Sequence, residues 1–368
     1  MKRYTIKEIA DALGTEASGD LSLEVTTMSE PQSANAGELA LAMEETYTEA
    51  LQKGAAQAAI LWQGADWQAL GLKAAIFAPR SRYVLSGVTK FFEHEIDIEK
   101  GIHPTAVIDP SAQIGGNPAI GPFVVISADV VIGDNARIAS HCTISKGARI
   151  GKDALLYQGV RVGARVQIGA SFICQPNAVI GADGFSFVTP QAGAIEEAKK
   201  SGTISNARAT TGFARINSLG SVVIGDNVEL GANVTIDRGT ISNTRIGNGT
   251  KLDNMVHLGH NVTVGDHCLL CGQSGVAGST VIGDRVVIGG QSAVSDHIRV
   301  GSDVIIAGKT GVSSHVPPKR LMMGNPAVKM ETNIASYKAV RRLPRLVAKV
   351  AALEEAMKNV IFRDDHKK

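Results

Sequence analysis

From residue 102 an aliphatic side chain returns at every sixth position: Ile102, Ile108, Ile114, Ile120, Ile126, Ile132, Ile138, Ile144, Ile150, Leu156, Val162 and Ile168, then Cys174 and Ile180. Neither coincidence nor an ordinary sandwich accounts for that period. The position after each aliphatic is often Gly or another small or polar residue, as in IGDNAR, IGKDAL and IGASFI, which suits a tight turn after each short strand. Three hexads close one triangular coil of about eighteen residues, with the repeated aliphatics stacked inside. The expected fold is mainly β, a parallel β-helix.

The series stops after Ile180, and residues 185–219, which contain SFVTPQAGAIEEAKKSG, read as an insertion projecting from a continuous prism. It resumes at Ile224, Leu230 and Ile236 and breaks register once. It then holds from Ile246 through Leu252, Leu258, Val264, Leu270, Val276, Ile282, Ile288, Val294, Val300 and Ile306 to Val312. Composition agrees with a repeat built from small and β-branched residues, because 40 glycines accompany only 4% aromatic residues.

Two other regions flank the repeat. Residues 1–100 read as a small α/β unit. Thr5 and Glu8 form a capping-box pair, Ile6, Ile9, Ala10 and Leu13 make one helical face, and Gly14 is placed to end it. Apolar runs at Leu39–Met43, Ala58–Trp62 and Ala74–Ala78 read as strands separated by helix-compatible segments. The prism spans 101–318, and residues 319–368 form a helical extension. There Leu346, Val350, Leu353, Met357 and Val360 alternate spacings of four and three, a coiled-coil seam that one isolated helix cannot satisfy.

With 37 Lys and Arg against 35 Asp and Glu, the overall field is near neutral and gives no general argument for nucleic acid or membrane. Cys142, Cys174, Cys268 and Cys271 are too few and too scattered for a zinc site and read as buried thiols. The opening MKRYTIKEIA carries charges where a signal peptide needs an apolar core, and no run of about eighteen apolar residues occurs, so a cytoplasmic protein without a membrane segment is expected.

Four stretches carry a more specific likeness: IGADGFSF at 180–187, TIDRG at 235–239, IGNGTKLDN at 246–254 and LGHNVTVGD at 258–266. With the three-region layout, they make the chain resemble the bacterial UDP-3-O-(3-hydroxyacyl)glucosamine N-acyltransferases of lipid A synthesis, hexapeptide-repeat enzymes. The resemblance implies a left-handed coil, which the general right-handedness of parallel crossovers does not supply. It also implies a homotrimer with active sites in the clefts between prisms. An acyl carrier protein delivers a 3-hydroxyacyl thioester, and the 2-amino group of a UDP-3-O-acylglucosamine attacks it, giving a UDP-2,3-diacylglucosamine. No cofactor and no metal are expected.

Carried over residue by residue, the family's general base falls on His260 in LGHN, and a carboxylate seven residues earlier falls on Asp253, expected to hold the imidazole in the useful tautomer. His297 matches a second histidine that stabilises the reaction centre, and Gly278 a backbone N–H suited to the oxyanion. The chemistry is consistent: a thioester is already activated, so positioning, a base near neutral pKa and oxyanion donors suffice. Tyr47 matches one aromatic of the family's uridine site, whereas Leu41 stands where an aromatic is common and Glu44 where an asparagine is common. The basic cluster Lys338, Arg341, Arg342, Arg345 and Lys349 beside the seam suits an acidic carrier protein.

Three other readings compete. His257 and His267 near His260 raise a zinc carbonic anhydrase, which needs an HxxxxH element absent here. An acetyl-CoA-dependent hexapeptide enzyme and a non-catalytic trimeric scaffold, in which the histidines are incidental, are the others.

Overall fold

The computed structural model describes residues 2–93, 96–191, 193–204, 212–324 and 327–364. They divide into two units, Met1–Asp97 and Ile98–Lys368.

In the first unit a helix over Ile6–Leu13 starts where the Thr5 hydroxyl accepts the Glu8 N–H at 3.2 Å and the Glu8 carboxylate accepts the Thr5 N–H at 2.8 Å. It ends at Gly14, whose φ of 61° is left-handed. Strands Glu38–Ala42, Ala58–Trp62 and Ala74–Ala78 run parallel through the centre of a five-stranded sheet. Their residues alternate between two cores, as the two-residue period of a strand requires. Leu39, Ile60 and Ile76 pack with Ile6, Ile9, Val84 and Val88, while Ala40, Ala59, Leu61 and Ala75 pack with Leu51 and Leu72.

The second unit is a left-handed parallel β-helix of three sheets, with ten, eleven and nine strands. Most strands are two residues long, and equivalent aliphatics lie in register, Ile108 on Ile126 on Ile144. Ile126, Ile138, Ile144 and Leu156 are fully buried, and each such side chain contributes roughly 1.5–3 kcal/mol. Corners turn through single residues in the left-handed region, often Asn or Asp, the non-glycine types that tolerate it best. Side-chain bonds between neighbouring coils span 18 residues in the regular prism, 56 across the insertion and 22 in the coil that follows it. That longer coil is the single break of register in the sequence.

Cys142, Cys174 and Cys268 lie inside the prism, and burial pushes the Cys142 thiol up to about 11. Cys271 is only half-buried, at a corner, so the expectation of buried thiols fails for it. The β-helix continues past residue 318, because Leu321–Met322 still pairs with Ile305–Ile306. A helix over Met330–Asp364 follows with Pro344 inside it, and its described side chains, Leu346, Val350, Leu353 and Met357 among them, are exposed. The Val360 side chain lies outside the described residues. No described helix is long and apolar enough to cross a membrane.

Candidate active site

Ile236, Leu258, Val276 and Val294 stack inside one face of the prism. The corner after each therefore comes to one edge, which gathers Asp237, then Gly259 and His260, then Gly278. The same edge carries the insertion, whose strands Phe187–Val188 and Ala214–Arg215 form an antiparallel ribbon, with the Arg215 guanidinium 4.7 Å from the Phe187 ring centre. Two arginines hold its roots: Arg238 Nε donates to the Gly181 carbonyl at 2.9 Å and Arg165 to that of Leu219 at 2.9 Å. The Gly184 N–H donates to Ser218 Oγ at 3.1 Å between them.

His260 is half-buried between two glycines. A Cβ on Gly184 would fall 2.8 Å from His260 Cβ, and one on Gly278 would fall 2.8 Å from His260 Nε2. Those contacts are closer than side chains tolerate, so glycine at both positions makes the space the imidazole occupies. The ring looks onto a cavity of about 350 Å³ lined by Phe185, Asp237, His257, His260, Gly278 and Val294, among others. Phe185 is 87% exposed there, an apolar wall whose ring meets that of Phe187 edge-on at 5.1 Å.

The acidic group of this cavity is Asp237. Its residue is 5% exposed, and Oδ2 lies 3.6 Å from His257 Nε2. Burial raises the carboxyl above its ordinary range; His257 and His260 pull it back and Asp183 pushes it up. Asp253, the carboxylate expected to hold His260, is not at this corner. Its Oδ2 accepts the Gly272 N–H at 2.9 Å and its Oδ1 the Asn254 N–H at 2.7 Å, beside a different cavity lined by Lys251 and Cys271. The physical reason is topological, since residues 253 and 260 occupy successive corners of one coil with the strand His257–Leu258 between them.

Gly278 stands directly beside His260, whereas His297 is offset. It is exposed, with φ of 58°, in the column of Asn261 and Ser279, and its N–H donates to the Gly278 carbonyl at 3.1 Å. It is not among the described residues that line the cavity. His267 packs against Gly249 at another corner, and among the described residues no three of His, Cys, Asp and Glu gather closely enough to hold a metal ion. In the first unit, Tyr47 ends the short turn Glu45–Tyr47 after the strand Glu38–Ala42 and is 44% exposed, while Leu41 packs against the core. Lys338, Arg341, Arg342, Arg345 and Lys349 are exposed on the tail helix, with Arg341 stacked 5.8 Å over the Tyr337 ring. Sequence reasoning passed over Gly184, Phe185, Asp237 and Asn261, although all four sit inside the stretches IGADGFSF, TIDRG and LGHN.

The family model described as bacterial transferase hexapeptide (six repeats) matches residues 243–278, and that of the GMPPB C-terminal domain matches residues 102–185. A Ruegeria pomeroyi protein named UDP-3-O-acylglucosamine N-acyltransferase is 60% identical over 355 residues, covering 96% of this chain and 98% of its own length. The chain belongs to that family. A Paracoccus denitrificans UDP-3-O-acylglucosamine N-acyltransferase is 55% identical over 361 residues, 98% of this chain and 99% of that one. One from Pseudomonas aeruginosa is 40% identical over 277 residues, 75% and 72% of the two chains. Among solved structures, an Arabidopsis UDP-N-acetylglucosamine acyltransferase superposes with a TM-score of 0.52 at 23% identity, covering 61% of this chain and 71% of that chain, a likeness of fold alone. Of the four stretches noted in the sequence, IGADGFSF, TIDRG and LGHNVTVGD bring Phe185, Asp237 and His260 to one cavity, whereas Asp253 of IGNGTKLDN lines another.

Proposed function

We propose that the protein is an N-acyltransferase of lipid A biosynthesis. It moves a 3-hydroxyacyl group from acyl carrier protein to the 2-amino group of UDP-3-O-(3-hydroxyacyl)glucosamine, as a cytoplasmic homotrimer. The observation that carries the reading is His260, an imidazole held between Gly184 and Gly278 at the mouth of a cavity with an apolar wall. Its near-full-length relatives bear the corresponding name.

The free amine attacks the thioester carbonyl, forming the C–N bond, and His260 takes the proton that the nitrogen must lose. The C–S bond then breaks and the proton passes to the departing thiolate. The Gly278 N–H faces the tetrahedral oxyanion, with His297 adding stabilisation from the next coil. Asp237, not Asp253, is the acidic group beside the imidazole, a buried anion balancing the imidazolium. Tyr47 stacks on the uracil, and the basic tail meets the acidic carrier protein.

Purified enzyme given the UDP-3-O-acyl sugar should turn over with 3-hydroxyacyl carrier protein and not with acetyl-CoA. Turnover with acetyl-CoA alone would make it a different hexapeptide acyltransferase, and turnover with neither a scaffold.

A further inference from the structure

Asn261 is tied to more parts of the corner than any other side chain there. Its Oδ1 accepts the Thr240 N–H at 3.0 Å, and its Nδ2 donates to the Ser242 carbonyl at 2.9 Å. Its own N–H donates to Thr244 Oγ1 at 2.9 Å, and that buried hydroxyl donates to the Asp237 carbonyl at 2.7 Å. Asn261 is thus bonded to Thr240, Ser242 and Thr244, in the irregular stretch of the 22-residue coil that Leu219, Gly220 and Ser221 hold from the other side.

These bonds settle the orientation of the amide. Turning it over would set Nδ2 against the Thr240 N–H and Oδ1 against the Ser242 carbonyl, two repulsive contacts in place of two bonds. Oδ1 then also lies 3.1 Å from His260 Nδ1. An amide oxygen can only accept, so Nδ1 must be the nitrogen that carries hydrogen. The neutral imidazole is left with its lone pair on Nε2, the atom beside Gly278 and the cavity.

We propose that Asn261 is a positioning residue that fixes His260 in the Nδ1–H tautomer, so that Nε2 is the atom that accepts the proton. The irregular coil holds Asn261 and Asn261 holds the ring. The kinetic consequence rests on the acyl-transfer reading; the tautomer does not. A neutral amide does this without adding a second anion to the one at Asp237.

Three measurements test it. In enzyme labelled with 15N-histidine, the His260 resonances, assigned by their loss in His260→Ala, should report protonated Nδ1 and bare Nε2 at a pH where the ring is neutral. Asn261→Ala should lower kcat by about ten- to a hundredfold, with KM for the UDP-sugar within about twofold of the parent. Asn261→Asp keeps an acceptor for Nδ1–H and for Thr240 but makes it anionic. It should retain kcat within a few-fold and move the acidic limb of the kcat profile upward by roughly one pH unit. A parent spectrum with hydrogen on Nε2, or an Asn261→Asp profile whose limb stays in place, would overturn the assignment; a purely structural asparagine would leave that limb alone. A parent that transfers no acyl group yet shows the Nδ1–H tautomer would remove the functional reading and keep this one.

Discussion

Gly278 and His260 are set so close that a single methyl group on the glycine would lie 2.8 Å from Nε2 of the histidine. The residue proposed to face the oxyanion also makes room for the residue proposed as base. Gly278→Ala should therefore push the ring aside and lower kcat by on the order of a hundredfold, with little change in melting temperature. Gly184→Ala meets the less movable His260 Cβ and should displace the root of the insertion instead. Limited proteolysis separates the two, with the insertion cut faster in Gly184→Ala and at the parental rate in Gly278→Ala. Parental kcat in Gly278→Ala would show that the cavity is not where the chemistry occurs.

An alkylammonium cannot attack a carbonyl, and the proton gained by nitrogen during attack must leave. His260→Ala should lower kcat by roughly a hundredfold to ten-thousandfold, with KM for the UDP-sugar changed far less. His297→Ala should also slow turnover, but the acidic limb of kcat should survive in it and vanish in His260→Ala. An intact limb in the His260 variant would remove the histidine-base mechanism.

Buried Asp237 gives folding stability a pH dependence of definite sign. Burial raises its carboxyl, so the native chain holds this proton more tightly than the unfolded chain does. The stabilisation is complete below the unfolded value of about 3.9 and is lost as pH rises through the folded value. Relative to the parent, Asp237→Asn should accordingly gain melting temperature as pH rises above about 4, while kcat falls by about tenfold or more. A relative melting temperature that drops over the same rise in pH would contradict the sign.

Tyr47→Ala should raise KM for the UDP-sugar more than it lowers kcat, since stacking on the uracil serves ground and transition states alike. With Leu41 packed against the core, the proposed uracil contact would rest more on Tyr47. Equal UDP-sugar binding by variant and parent would place the nucleotide elsewhere.

Changing Arg341, Arg342 and Arg345 to Glu together should raise KM for the carrier-protein donor at low salt, and added salt should do the same to the parent. An unchanged KM would reject steering by the tail. The exposed aliphatics of that helix also call for partner helices, so light scattering should return a trimer.

Much of the prism was legible because its signal is periodic and local: Ile108 over Ile126 over Ile144 follows from counting. His260 and Gly278 were legible because LGHN resembles a known stretch and the next coil keeps the count. Asp237 was not. A period of eighteen places another residue beside His260, and only the 22-residue coil, with Ile236 on Leu258, brings Asp237 there. Asp253 comes from the family likeness, seven residues before His260, and in a triangular coil that spacing puts it at the preceding corner. Asn261 escaped notice because its partners, Thr240 and Ser242, belong to the irregular part of that coil.

The 18-residue spacing of side-chain bonds between coils makes this unit's tolerance to change in length quantised. Removing one residue between Ile126 and Ile144 would turn every later aliphatic out of its stack, whereas removing one whole coil would return all of them to register one step along. Each coil touches only its neighbours, so such a change, made several coils ahead of Asp237, would leave the geometry around His260 intact. Variation by whole coils is therefore open to this fold, and variation by single residues is confined to corners where an excursion can leave and re-enter in step, as the insertion held by Arg165 and Arg238 does.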